Sequence, residues 1–382
     1  MYKFFLVYFS DLEDHREAGK VQHDLFEIIF IVFISILCGI EGFVGFEDFA
    51  TYQKDWFLKY IDLKNGVPSH DTFRTVLNML DPKDFSDRFG LLIQDIIKFS
   101  GQKNGNDHFQ IDGKSIKGSK YIDKKTGKKK IIHTVNVLSQ SYGLSVCQRT
   151  VSGDKFTSEN SAILEILSML DLKKKTISVD AGMSYKNIAS EIIKKRGDYV
   201  FAIKNNNSKA QSMLSEEFMR RSKDPEYQYI NEENNHGRNT KRVFYSYKMI
   251  KSLRDSIGFE NVKFFGVYET YNLDTKQLND RRYFITSTKI NNPKEFYNLC
   301  RNHWGVENKL HWMLDVLFNE DGSKVKKGNA PKILLILRQL GLNLLKMDKS
   351  KGSFKRKKEK FAWVQDYRDK MLKKDISGWI LK

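Results

Sequence analysis

The sequence predicts an α/β protein: a mixed sheet with flanking helices, a helical region before it and a β-rich insertion within it. Three observations lead there. Apolar residues keep helical spacing up to about residue 100; from His108 short β-prone runs alternate with helical stretches; and between residues 205 and 290 three further strand-like runs break that alternation before helical spacing returns. With 382 residues, 40% of them apolar and 13% aromatic, the chain can bury more than one core and is not a disordered polymer.

Taken in order, the uncharged run Ile28 to Ile40 lies between Glu27 and Glu41. It is shorter than the roughly 18–20 residues a membrane span needs, so a buried helix is expected. Phe43, Phe46, Phe49 and Tyr52 recur on one face of a second helix, and Ser69 or Asp71 is placed to cap a helix over 72–80 that stops before Pro82. Ser100 to Asn106, with two glycines among polar residues, reads as a linker. Strands follow at 108–112, at 131–138 and 144–151 as a hairpin around Gly143, at 176–180 and at 198–204, with helices at 161–170 and 184–196. The order is βββαβαβ. A helical piece over 210–221 and strands at 240–250, 262–272 and 281–289 make up the insertion. Pro331 opens a helix over 332–345, and the eight Lys and Arg residues between Lys346 and Lys360 suggest a basic tail. The domain expectation is therefore a helical region at 1–100, a core at 107–204 and 291–346, an insertion at 205–290 and a tail at 347–382.

Sixty-five Lys and Arg against 47 Asp and Glu leave a net charge of +18, which suits a polyanionic partner, although lysine-rich base composition produces the same excess. Cys38, Cys147 and Cys300 form no close pair in sequence, which argues against a disulfide framework or a cysteine zinc knuckle and fits a reducing cytoplasm. The first residues lack the pattern of a secretory signal.

Chemistry concentrates on three acids. Two strands end in aspartate, at Asp112 and Asp180, and a right-handed crossover that set those strands parallel would bring both carboxylates to one sheet edge. On the stretch from Arg301 to Pro331, Val306, Leu310, Met313 and Leu317 form an apolar stripe, while His303, Glu307, His311 and Asp315 recur every four residues beside it. Trp304 and Trp312 flank that polar row, as on a helix buried on most sides. Asp112, Asp180 and Glu307 could share two divalent cations through hard oxygen ligands, the preference of magnesium and manganese. A zinc or di-iron site on 303, 307, 311 and 315 fits poorly, because the spacing is neither HExxH nor ExxH.

The stretches NGVPSHDTF (65–73), QIDGKSIKGS (110–119), ISVDAGMSYKNIASEIIKKRGDYVFAIKNN (177–206), NNHGR (234–238), RRYFITS (281–287) and NHWGVENKLHWMLDVLFNEDGSKVKKGNAP (302–331) resemble the bacterial DDE-type insertion-sequence transposases. The branch is the one that includes the H-repeat-associated proteins linked to Rhs elements, and the likeness runs in order over roughly residues 11–346. It implies an RNase H-like catalytic core, DNA cleavage at element ends with strand transfer into target DNA, Mg²⁺ with Mn²⁺ as a substitute, a dimer or larger assembly on DNA, and a cytoplasmic, nucleoid-associated location. Carried over by motif, Asp112 in IDGKS, Asp180 in SVDAG and Glu307 in HWGVEN are the catalytic and metal-binding triad.

This chain departs from its wider superfamily around the glutamate. Where relatives place Tyr, Arg and Lys, it carries Cys300, His303 and Leu314. Phosphate contacts are then expected from Arg301, His303, Lys309 and His311, with Lys114 and Lys117 after the first aspartate and His236 and Arg238 in the insertion as further DNA contacts. The insertion contains no tryptophan to hold a flipped base, so the cleavage pathway stays open. Two other readings also remain: an RNase H-like nuclease without strand transfer, and a catalytically decayed DNA-binding descendant.

Overall fold

Side-chain caps set where the first long helices start. The Asp24 carboxylate accepts the Glu27 N–H, and the Ser69 hydroxyl accepts that of Thr72. These caps begin α2 (Leu25–Leu37) and α5 (His70–Met79), which with α1 (Tyr2–Phe9), α3 (Phe43–Tyr52), α4 (Lys54–Phe57) and α6 (Pro82–Phe99) make the N-terminal bundle. The structure, a computed structural model, describes residues 1–99, 106–122, 127–151, 155–221, 227–235 and 238–374. The expected linker falls almost wholly outside them. Every residue of α2 except Glu27 is buried, with Phe33 stacked on Phe5 at 4.8 Å. The uncharged run is therefore the centre of a protein core, and no helix among the described residues is long and apolar enough to cross a membrane. On α3 the apolar face turns out narrower than its aromatic spacing suggested: Phe46 is buried whereas Tyr52 is exposed.

The central sheet is built from β1 (His108–Ile122), β2 (Lys129–Ser139), β3 (Ser145–Val151), β4 (Thr176–Val179) and β5 (Asp198–Ile203). Their spatial order is β3-β2-β1-β4-β5, with β2 antiparallel to both its neighbours and β1, β4 and β5 mutually parallel. This is the RNase H-like arrangement. Helices α7 (Lys155–Met169) and α8 (Lys186–Lys194) make the crossovers on one face, as two successive parallel connections require.

The insertion is not a module apart. After α9 (Ser208–Arg220), β6 (Gln228–Asn235) and β7 (Arg238–Lys248), α10 (Lys251–Ile257), β8 (Phe264–Asn272) and β9 (Leu278–Thr286) extend the same sheet, because β9 pairs antiparallel with β5 from Val200↔Thr286 to Ile203↔Tyr283. The described residues thus form a nine-stranded sheet, β6 being a strand that the polar run QYINEENN concealed.

The chain then covers the opposite face with α11 (Pro293–Asn302), a π-helical turn (Glu307–His311), α12 (Trp312–Phe318) and the almost wholly buried α13 (Ala330–Met347). The basic segment beyond is no loose tail as far as Lys374. It folds as α14 (Phe354–Trp363) and α15 (Gln365–Lys373), with Phe361, Met371 and Leu372 buried and Arg368 held 4.5 Å from the Trp56 ring. Asp369 accepts hydrogen bonds from Trp56 Nε1 and the Tyr60 hydroxyl, fastening this end of the chain to the N-terminal bundle.

Candidate active site at the end of the parallel strands

Strand register brings the two aspartates together. The parallel pairing of β1 with β4 runs from His108↔Thr176 to Ile111↔Val179, so Asp112 and Asp180 are the next residues in line on strands roughly 4.8 Å apart. Contrary to the sequence expectation, Asp112 does not end its strand: β1 continues to Ile122 against β2, whereas β4 stops at Val179. Asp180 turns the chain, its Oδ1 accepting the Ala181 N–H at 2.7 Å, and remains exposed.

The third acid comes from the other face. At Gly305 the helical segment approaches the sheet so closely that a Cβ would stand 2.9 Å from Gln110 Oε1, two residues before Asp112. A wider turn comes next, with the Trp312 N–H bonded to the Glu307 carbonyl. A regular α-helix drifts about 40° for every four residues; the π-turn takes back some of that drift and keeps His303, His311 and Asp315 facing the sheet. Glu307 is left exposed beside the aspartates. Burial pushes the Asp112 carboxyl up to about 7, helped by the charges of Asp180, Glu307 and Glu159 and opposed by the Gly113 N–H that Asp112 Oδ1 accepts.

His311, expected among the phosphate contacts, is instead taken up inside the fold. It is buried, with Nδ1 3.5 Å from Asp112 Oδ2 and Nε2 3.3 Å from Asn136 Nδ2. Asn136 Oδ1 accepts from Gln339 Nε2 at 2.6 Å, so its amide nitrogen is the end that donates to Nε2, leaving the imidazole proton on Nδ1 and aimed at Asp112. Burial lowers the His311 pKa to about 3, and the ring is neutral. His303 is held in a similar way beside the second aspartate's strand: its Nδ1 meets Ser178 Oγ at 2.9 Å, and that hydroxyl also meets His108 Nε2 at 2.8 Å. Burial depresses both imidazoles, His303 to about 4 and His108 to about 3. The polar row on this segment is thus a docking surface against the sheet.

Lys114 is likewise taken. Its ammonium lies 2.8 Å from Asp315 Oδ1 and 2.6 Å from Glu320 Oε2, and its side chain is 10% exposed. The cluster clamps α12 and the turn after it to β1, two residues from Asp112. Lys114→Met is expected to cost about 3–5 kcal/mol, because it strands two partly or fully buried carboxylates. Urea unfolding at pH 8 measures this, and a loss below about 1 kcal/mol would return Lys114 to a surface role.

The remaining expected contacts are dispersed. Lys117 and Lys309 are exposed near the acids' end of the sheet, while Arg301 lies half-buried over Trp304 at 4.5 Å. Arg238 opens β7. His236 lies outside the described residues. Trp312 is exposed rather than buried beside the polar row. Lys204 and Arg282, which lie in the stretches that carry the resemblance but were not singled out as contacts, line a cleft with Asp180, His303 and Trp304. Asn136, Gln339, Glu159 and Glu320 were also missed; for the first two the signal was a polar residue inside an otherwise apolar run, NVLS and LILRQLGLN.

Among the described residues no three His, Cys, Asp or Glu side chains close tightly around one point. The donor set nevertheless suits hard divalent cations: carboxylates from three elements, with Asp112 held up by burial and then by the charges of the others, a penalty that bound positive charge would relieve.

Comparison with known proteins agrees with this geometry. The family described as "Transposase DDE domain" matches residues 103–344, and "DDE_Tnp_1-associated" matches residues 6–92. YbfL of Escherichia coli (strain K12) is 32% identical over 378 residues, covering 95% of this chain and 96% of its own. The H repeat-associated YhhI of the same strain is 31% identical over 378 residues with the same coverage. The piggyBac transposase, solved in a synaptic complex with hairpin DNA, aligns over 97% of this chain and 81% of its own at 12% identity and a TM-score of 0.38. With the family model spanning residues 103–344 and the two Escherichia coli relatives matching 95% of its length, the chain belongs to the transposases of the DDE domain family.

Proposed function

We propose that this protein cuts DNA at the ends of a mobile element and joins them to target DNA, with Asp112, Asp180 and Glu307 as the catalytic carboxylates and Mg²⁺, or Mn²⁺ in its place, as the cofactor. The observation that carries the reading is the strand register that sets Asp112 beside Asp180 at the end of the parallel strands, with Glu307 exposed on the segment packed across them. Divalent cations held there would stabilise the entering and leaving oxygens of an in-line displacement at phosphorus. The protein's own groups do the rest. His311, fixed by Asn136 and Gln339, orients Asp112; Glu307 and Asp180 remain open to an incoming strand; exposed Lys117, Lys309 and Lys204, with Arg301 and Arg282 around Trp304, supply phosphate contacts. A net charge of +18 supports affinity for the backbone as a whole.

The deciding assay offers purified protein, Mg²⁺ and a target plasmid to the DNA ends that flank its gene, one set uncut and one precleaved to expose a 3′-hydroxyl. Cleavage of the first and covalent joining of the second are expected. Cleavage without joining would replace the proposal by a nuclease, and binding alone by a decayed descendant.

A further inference from the structure

The turn between α2 and α3 runs through Gly39 and Gly42, at φ +85° and +78°, and borders a cavity of about 170 Å³ that Phe318 of α12, the 323–325 segment, α13 and α14 also line. Arg338 of α13 faces this cavity and is only 5% exposed. A guanidinium does not shed its charge, so a buried one needs acceptors for its five N–H groups and an anion for its charge. The described residues provide it with one hydrogen bond, to Ser323 Oγ at 3.2 Å. Glu320 and Glu41 are the carboxylates whose charge reaches it, yet among the described residues neither forms an ion pair with it: Glu320 is engaged by Lys114 at 2.6 Å, and Glu41 is exposed at the cavity's rim. Two more cations line the same space, exposed Lys324 and half-buried Lys358, whose ammonium lies 4.8 Å from the Phe318 ring. The ten-residue α3 starts here too, with Gly42 as its N-cap and no side chain to accept from its first N–H groups.

We propose that this cavity binds a phosphate group, with the Arg338 fork donating to its oxygens and Lys358, Lys324 and the start of α3 adding positive charge around it. Phosphate supplies what the site lacks: acceptor oxygens on a tetrahedral anion that a planar guanidinium grips in pairs. Three cations against the single carboxylate of Glu41 leave the cavity lining positive. The volume admits a phosphate but not a duplex, so the occupant is a free phosphate ion or the terminal phosphate of a strand. None of Asp112, Asp180 and Glu307 takes part, and no metal is needed, so the site stands or falls apart from the reading of those acids.

Equilibrium dialysis of the full-length protein against radiolabelled inorganic phosphate tests this, at pH 8 in EDTA with ionic strength held constant by chloride. One phosphate per chain is expected, with a dissociation constant on the order of 1 mM or below. Arg338→Gln should weaken binding about ten- to a hundredfold, the scale of losing charge-assisted hydrogen bonds. Glu41→Gln, at an exposed position, should instead tighten it about three- to tenfold by removing the opposing charge. Phosphate scattered over surface lysines would show neither response. No saturable binding by wild type, or binding within twofold of wild type in folded Arg338→Gln, overturns the proposal. Unchanged or weaker binding in Glu41→Gln does so too, and decides the matter should Arg338→Gln not fold. A 5′-phosphorylated oligonucleotide and its 5′-hydroxyl counterpart, offered as competitors, identify the source. Preferential displacement by the first assigns the cavity to a strand's terminal phosphate, and no displacement by either assigns it to the free ion. Equal displacement by both would put the label on an open DNA-binding surface and overturn the proposal.

Discussion

Glu307→Gln is expected to lower metal-dependent DNA cleavage at least about a hundredfold, the scale of losing one preorganised electrostatic element of an active site. Asp315, about two turns further along the same segment, is the competing acid. The structure separates their surroundings. Glu307 is exposed next to Asp112 and adds to the charge that holds its carboxyl up, whereas Asp315 is engaged by Lys114 at 2.8 Å. Asp315→Asn should therefore reduce thermal stability, by weakening the Lys114 clamp, and leave the cleavage rate at 25 °C within about tenfold of wild type. Cleavage rates of both variants across a Mn²⁺ titration measure the contrast. A near-normal Glu307→Gln beside an inactive Asp315→Asn would move the third acid to position 315.

Asp112→Asn is expected to abolish cleavage and at the same time to stabilise the metal-free protein above pH 7. The carboxyl ionises near 3.8 in the unfolded chain and at about 7 in the folded one, so the folded state holds the proton more tightly. Wild-type stability consequently falls as pH rises from about 4 to about 7, and the deficit persists above that range. The interval corresponds to about 4 kcal/mol, which the 23% exposure of the side chain reduces to about 2–3 kcal/mol. An amide does not ionise, so the variant should overtake wild type as pH rises. Urea unfolding in EDTA at pH 4.5 and pH 8 tests this; a difference between the two proteins that is the same at both values would place the repulsion elsewhere. DNA binding should survive in Asp112→Asn, since the cations that neutralise phosphates are distributed over the chain.

Local pattern carries far where neighbours in sequence decide the outcome. The buried helix from Leu25, the cap at Ser69, the hairpin of β2 and β3, and the row of His303, His311 and Asp315 facing one way all arise from spacing of 2 or 3.6 residues and from short-range hydrogen bonds. The neighbouring positions of Asp112 and Asp180 followed from the expected parallel pairing of their two strands, while the choice of Glu307 rested on its motif.

What only the tertiary structure decided is which polar groups are left for a ligand. Lys114 and His311 read from sequence as cations for DNA, yet one is paired with Asp315 and Glu320 and the other is held between Asp112 and Asn136. Lys346, read as the start of a basic tail, donates to the carbonyls of Gly143 and Lys309, and burial lowers its pKa to about 7. Strand length shows the same limit, since β1 runs past Asp112 because β2 is there to pair with it, and β9 closes onto β5 to turn an insertion into more of one sheet. A side chain's periodicity is set by its own backbone, but its burial and its charge partner come from elements hundreds of residues away. Sequence therefore determined which residues carry the pattern, and folding determined that Asp112 and Asp180 stand on neighbouring strands within the electrostatic reach of Glu307, while Lys114, His303 and His311 are taken up by contacts inside the fold.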